Sequence, residues 1–71
     1  MILDDFNLPL EASEALELAL GLFGSELATI NWLLTPVLGL GHQKPVDLLK
    51  TPAGQQQVIE LIRRLEYGVG V

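Results

Sequence analysis

The sequence NWLLTPVLGLGHQKPVDLLKTPAG, from Asn31 to Gly54, is the most informative part of the chain because it combines helix-breaking residues with an apolar composition. It holds three prolines and three glycines, and also Trp32, six leucines and two valines. Proline and glycine usually mark surface turns, and surface turns are usually polar. The stretch therefore predicts either a corner that packs on its own core or an apolar surface that another molecule covers.

Helix start and stop signals surround this stretch. Pro36 makes continuation of a preceding helix unfavourable, whereas a proline suits the first turn of a helix, where its missing N–H costs nothing. Gly and Ser or Thr supply the ends, as a left-handed C-terminal residue and as an N-cap respectively. The signals predict helices from Pro9 to about Phe23, from Ser25 to about Leu34, from Pro45 over a short span, and from Thr51 to Gly68.

This pattern predicts one small all-α domain, a bundle of three longer helices and one short helix. Residues 1–9 show little periodicity and are predicted to be an extended lead-in, and residues 10–71 form the helical domain. Apolar residues at helical spacing predict the inward positions. These are Ala12, Ala15, Leu16, Ala19 and Leu22 or Phe23 in the first helix, Leu27, Ile30, Leu33 and Leu34 in the second, and Val58, Leu61, Ile62 and Leu65 in the last. Leu38 and Leu40 are the predicted anchors of the turn from Thr35 to Lys44.

The composition excludes several functional classes. The chain has 71 residues and no cysteine, so neither disulfides nor a Cys-based metal site is available. The single His42 lies in a glycine-rich turn without a second His, and we expect a solvated or capping imidazole rather than a metal ligand. We expect no cofactor.

Charge and hydropathy bear on partners and location. The net charge of −5 argues against direct binding to nucleic acid, which needs a basic surface. No apolar run approaches the length of a membrane span, and the acidic start MILDD does not fit a secretory signal, so a cytoplasmic protein is expected. Acidic residues dominate the first third of the chain, whereas all four basic residues lie in the segment from Lys44 to Arg64. This asymmetry fits helix packing, attraction of a basic partner, or a solvated face.

One set of residues resembles a known family, the toxin-binding C-terminal domain of Xre/MbcA/ParS-type antitoxins. The resemblance covers about Ala12 to Val69, including ALGLFG upstream of the second helix. It is carried by Trp32, Leu33, Thr35, Pro36, Leu40, Gly41, Pro45, Val46, Asp47, Leu48, Leu49, Thr51, Gly54, Val58, Leu61 and the run Glu66 to Val69. Val37 departs from the usual Asn of the family, and His42 stands where a second Gly is usual.

The resemblance implies a function. Such antitoxins bind RES-domain toxins, which consume NAD and are similar in fold to ADP-ribosyltransferases, and the antitoxin is not itself an enzyme. The last helix and the C-terminal tail approach the toxin's active-site cleft and block it. The corresponding positions in this chain are Arg63, Arg64, Glu66, Tyr67, Gly68, Val69 and Val71. Family members usually carry a helix-turn-helix domain before the toxin-binding domain, and this sequence does not include one. Operator binding is therefore not expected. The sequence is compatible with a fragment of a longer protein and with a short gene.

Two alternatives stay open beside toxin binding. The first is a self-associating domain that would dimerise a regulator lacking its DNA-binding part. The 49% hydrophobic composition favours it, and Leu18, Leu20 and Ile59 lie off the main apolar stripes, where they could form an interface. The second is an acyl carrier protein, which is similarly short, acidic and helical. That family attaches its cofactor in an Asp-Ser-Leu motif, whereas Ser25 lies in FGSEL.

Overall fold

The structure, a computed structural model, describes residues 2–68 and the side chains of residues 4–68. Its helices are α1 (Ile2–Asp5), α2 (Ser13–Phe23), α3 (Glu26–Leu33), α4 (Pro45–Leu48) and α5 (Pro52–Tyr67), with 3₁₀ turns at Leu10–Ala12 and Leu38–Leu40. The described residues contain no strand, only an isolated antiparallel bridge between Val37 and Gln43. The predicted all-α fold with three longer helices is confirmed.

The helix ends follow the capping residues that the sequence indicated. Gly24 closes α2 in the left-handed conformation with φ of 82°, and Gly68 closes α5 with φ of 69°. Ser25 caps α3 by accepting a hydrogen bond from the N–H of Ala28 at 3.1 Å. Thr51 caps α5 in the same way, accepting from the N–H of Gly54 at 3.1 Å. Each cap satisfies a backbone donor that the helix itself leaves unpaired.

The N-terminal segment differs from the prediction. Ile2–Asp5 forms a single turn of α-helix where an extended lead-in was expected, and Leu8 is buried with 8% of its surface exposed. Pro9 has an extended backbone and precedes the 3₁₀ turn, so α2 starts at Ser13 rather than at Pro9. A single helical turn is too short to show periodicity in the sequence, so this helix was not predicted. The division at residue 10 stays a prediction.

The core lies between α2 and α5, which form the largest helix contact, with α3 and α4 completing it. Its buried apolar residues are Leu8, Ala12, Ala15, Leu16, Ala19, Leu33, Leu40, Val46, Leu49, Val58, Ile59 and Ile62. The small residues Ala12, Ala15 and Ala19 form one face of the segment that begins at the first 3₁₀ turn, as predicted. Ile59 was expected to lie off the apolar stripe of α5 and is instead 6% exposed, whereas Leu65 was expected to be inward and is 44% exposed. The core of α5 therefore reaches from Gly54 only to Ile62.

Helix α3 shows the largest departure from the predicted pattern. Leu27 and Leu34, both predicted to be inward, are 70% and 44% exposed, and the residues that α3 buries are Thr29 and Leu33. The Thr29 hydroxyl donates to the carbonyl oxygen of Ser25 at 2.8 Å, which satisfies its polar group in the interior. Of the predicted inward residues, Leu33 is confirmed and Ile30 is half-buried against the core, whereas Leu27 and Leu34 were predicted wrongly because the buried Thr29 gives no apolar signal in the sequence.

The α4–α5 junction brings two backbones into direct contact. A β-carbon on Gly54 would overlap the carbonyl oxygen of Leu48 and would lie 2.9 Å from the Leu48 Cα, so only glycine fits there. The buried Gln55 donates from Nε2 to the carbonyl oxygen of Leu49 at 3.0 Å. Leu49 and Pro45 are themselves fully buried beside it. The junction is thus fixed by close approach, a buried hydrogen bond and packing together.

Candidate functional site

Most residues of the family-like motif serve the corner between α3 and α5. Leu33, Leu40, Leu49 and Pro45 are buried, and the Trp32 ring is half-buried and lies 5.2 Å from the ring of Phe23, centroid to centroid. The Thr35 hydroxyl donates to the carbonyl oxygen of Asn31 at 2.7 Å, at the end of α3. These residues position the helices, in agreement with the packing role expected for Trp32.

The corner itself is held by backbone hydrogen bonds more than by side chains. Val37 donates to the carbonyl oxygen of Gln43 at 3.1 Å, and His42 donates to that of Val37 at 3.0 Å. Gly41 and His42 both have positive φ, 69° and 64°. A left-handed conformation is costly for His, which explains why a glycine would suit position 42. Leu38, predicted as an anchor, is 75% exposed, whereas Leu40 is buried and half-buried Val37 packs against the core.

The C-terminal end of α5 is the surface that the resemblance assigned to toxin binding. Arg63, Arg64, Glu66 and Tyr67 are all exposed, with 79% of Tyr67 accessible. The only ion pair among the described residues is an exposed contact of 3.9 Å between Lys50 and Asp47, so the two arginines have no carboxylate partner there. Gly68 ends the helix, and the predicted residues Val69 and Val71 lie outside the described residues. The last turn of α5 thus presents two guanidinium groups and one aromatic ring to solvent.

Two shallow grooves flank this end of α5. Arg64 lines one of about 360 Å³, together with Glu60, Leu61, Gln57 and the corner residues from Gly39 to Gly41. Glu66 lines the other, of about 420 Å³, with Glu17, Leu18, Gly21 and Leu22 of α2. The predicted residues therefore lie on two sides of α5 rather than in one pocket. No group of three His, Asp or Glu side chains within residues 2–68 is placed to hold a metal ion.

A second exposed surface was not predicted. On the side of α3 opposite the buried Thr29 and Leu33, three exposed residues follow at helical spacing: Leu27, Asn31 and Leu34. Half-buried Ile30 borders them. We call Leu27, Ile30, Asn31 and Leu34 the outer face of α3. Exposed Leu38 follows in the next 3₁₀ turn. One signal of this surface was available in the sequence: residues 27–43 contain no Asp, Glu, Lys or Arg.

No helix in the described part of the chain is long and apolar enough to cross a membrane.

Comparison with known proteins agrees with the resemblance. The sequence model of the antitoxin Xre/MbcA/ParS C-terminal toxin-binding domain matches residues 18–68. An antitoxin Xre of Yersinia enterocolitica is 46% identical over 55 residues, which are 76% of this chain and 37% of that protein. An antitoxin Xre of Photorhabdus laumondii is 35% identical over 46 residues, 65% of this chain and 31% of that protein. No solved structure matches the chain.

The match covers the whole of α3, α4 and α5 together with their connections, and it ends at Gly68, the residue that closes α5. The chain spans about a third of the length of these two relatives. On the family match over residues 18–68, the chain belongs to the Xre/MbcA/ParS antitoxin family and contains its C-terminal toxin-binding domain.

Proposed function

We propose that this chain is an antitoxin module that neutralises a RES-type, NAD-consuming toxin by covering the toxin's active site with the C-terminal end of α5. The observation that carries the proposal is the exposed last turn of α5, which lies at the end of the toxin-binding match and presents Arg63, Arg64 and Tyr67. The role is that of a binding protein, not of an enzyme.

The chemistry of this turn supports protein binding. Tyrosine and arginine are enriched among the residues that contribute most to protein–protein affinity. Arg63 and Arg64 have no carboxylate partner among residues 4–68, and each can form two parallel hydrogen bonds to a carboxylate of the toxin. Tyr67 carries a large ring on a helix, so little conformational entropy is lost when it is buried by a partner.

The proposal also includes the residues beyond Gly68. Val69 and Val71 belong to it through the family resemblance alone. A short apolar segment that follows a helix end is suited to enter a cleft built for a small ligand such as NAD. Removal of Tyr67 to Val71 takes away none of the buried residues among residues 4–68, because the last buried residue of α5 is Ile62.

The experiment is a titration of the cognate toxin's NAD consumption with antitoxin variants. We expect Tyr67→Ala, and separately the double change of Arg63 and Arg64 to Ala, to weaken inhibition at least about tenfold, since single hot-spot residues contribute about 2 kcal/mol or more. The matched control is Lys50→Ala, which removes an exposed positive charge away from this end. Circular dichroism checks that each variant is folded. If the variants inhibit as well as the intact chain, the end of α5 is not the inhibitory surface.

A further inference from the structure

Gly21 differs from the other glycines that the structure describes. It lies inside helix α2, where glycine destabilises a helix relative to alanine. Outside its chain neighbours and the backbone of α2, a β-carbon on Gly21 would meet no atom within 4 Å. Each other glycine within residues 4–68 has a reason in the fold. The reasons are a positive φ at Gly24, Gly41 and Gly68, the backbone of Leu48 against Gly54, and the Leu61 side chain 3.2 Å from a β-carbon on Gly39.

The groove between α2 and the end of α5 supplies a reason for Gly21. Five residues line this groove of about 420 Å³, and we call it the α2 groove: Glu17, Leu18, Gly21, Leu22 and Glu66. Leu18 and Leu22 are half-buried against the core and supply its apolar lining, whereas Glu17 and Glu66 are exposed. Because a side chain at position 21 would occupy part of the α2 groove, glycine keeps it open.

The two carboxylates indicate which kind of group fits the α2 groove. The chain already carries a net charge of −5, so bringing Glu17 of α2 and Glu66 of α5 to one groove adds repulsion. Within residues 4–68 no base lines the groove, and the one ion pair there joins Lys50 to Asp47. A lysine or arginine from a partner matches both parts of the lining, because its aliphatic stem packs on apolar surface while its charged head contacts polar groups.

We propose that the α2 groove receives a lysine or arginine side chain of the toxin. The aliphatic stem packs against Leu18 and Leu22. The cationic group lies between the carboxylates of Glu17 and Glu66. This inference rests on the proposed function, because Glu66 belongs to the end of α5 that covers the toxin. It adds helix α2 to the toxin-binding surface and assigns that surface a second chemistry, carboxylates offered to a base of the toxin.

The test is the affinity of the cognate toxin for antitoxin variants, measured by isothermal titration calorimetry. We expect Glu17→Lys to weaken binding at least about tenfold, since it places a like charge beside the toxin's base. The matched control is Glu14→Lys, the same change of charge on an exposed residue of α2 that does not line the groove. It should bind nearly as the intact chain does. The difference between the two variants should narrow at high salt, because salt screens the contact.

Gly21→Gln supplies a readout that a structural role alone would not give. Glutamine favours a helix more than glycine does, so the melting temperature should rise. Toxin binding should nevertheless weaken at least about tenfold, because the new side chain fills the α2 groove. The control is Ala53→Gln, which places the same side chain at an exposed position in the first turn of α5 and should bind as the intact chain does.

The outcomes separate this inference from the proposed function. The inference is overturned, and the proposed function stands, if Tyr67→Ala weakens inhibition while Glu17→Lys binds the toxin no worse than Glu14→Lys. Unchanged binding by Gly21→Gln overturns it as well. If Tyr67→Ala and the double arginine variant also have no effect, the proposed function fails too. Loss of binding by Glu17→Lys and Gly21→Gln, with Tyr67→Ala fully inhibitory, supports the α2 groove and moves the main contact from the end of α5 to α2.

Discussion

The α4–α5 junction and helix α3 both contain leucines, yet packing restricts the residue type much more tightly at the junction than on the exposed side of α3. At the junction, Gly54 lies against the backbone of Leu48, and Gln55 is bonded to the carbonyl of Leu49. Helix α3 buries only Thr29 and Leu33 fully, and turns Leu27 and Leu34 outward. Backbone contact allows one residue type at a position, whereas an exposed helix face allows many; the junction therefore serves the fold, and the outer face of α3 is free to serve binding.

The junction provides the largest expected effect. Alanine in place of glycine inside a helix normally stabilises by about 0.5–1 kcal/mol. At Gly54 we expect the opposite sign, a loss of about 3 kcal/mol or more, because the new β-carbon would overlap backbone atoms that cannot move without separating α4 from α5. Urea unfolding followed by circular dichroism measures the change in the free energy of unfolding.

Gly21→Ala is the matched control for this comparison. Gly21 also lies inside a helix, α2, but a β-carbon there would meet nothing within 4 Å apart from its chain neighbours and the backbone of α2 itself. We expect the ordinary gain in stability. If Gly54→Ala and Gly21→Ala stabilise the protein alike, the close approach of α4 and α5 is wrong, and the junction is no more constrained than an open helix.

The inner side of α3 provides the next effect. Trp32 is half-buried against Phe23, with a ring distance of 5.2 Å and an interplanar angle of 42°. Truncation of a fully buried Trp costs about 3–5 kcal/mol, so we expect about 2–3 kcal/mol for Trp32→Ala. Trp32→Phe keeps an aromatic partner for Phe23 and should lose less than half as much. Thermal unfolding of both variants checks this, and an unchanged melting temperature for Trp32→Ala would mean that its packing contributes nothing.

The same contrast explains what could be predicted from the sequence. The caps at Gly24, Ser25, Thr51 and Gly68 were predicted correctly. Capping depends only on local features, namely a few neighbouring residues and the φ angle that the capping residue can adopt. The inward residues of α3 were predicted only in part: Leu33 is buried, but Leu27 and Leu34 are exposed, because leucines on both sides of the helix gave no clear amphipathic signal. Packing against α2 and α4 decides which side is buried, and the pattern within α3 alone does not show where those helices lie.

The candidate site was predictable to a different extent. The exposure of Arg63, Arg64 and Tyr67 follows from their position off the apolar stripe of α5, and Leu65 joins them because the core ends at Ile62. The contact at Gly54 was not predictable in physical terms, since a glycine in the first turn of a helix has no local requirement. The contact arises only when α4 crosses that turn.

The smallest effect on stability is expected on the outer face of α3. Leu27→Gln replaces a side chain that is 70% exposed, so in dilute solution the free energy of unfolding should change by less than about 0.5 kcal/mol. Leu33→Ala, on the buried side of the same helix, should cost about 2–5 kcal/mol. Thermal unfolding of both variants in dilute solution measures the two changes. A large loss for Leu27→Gln would place Leu27 in the core and would make the two sides of α3 alike.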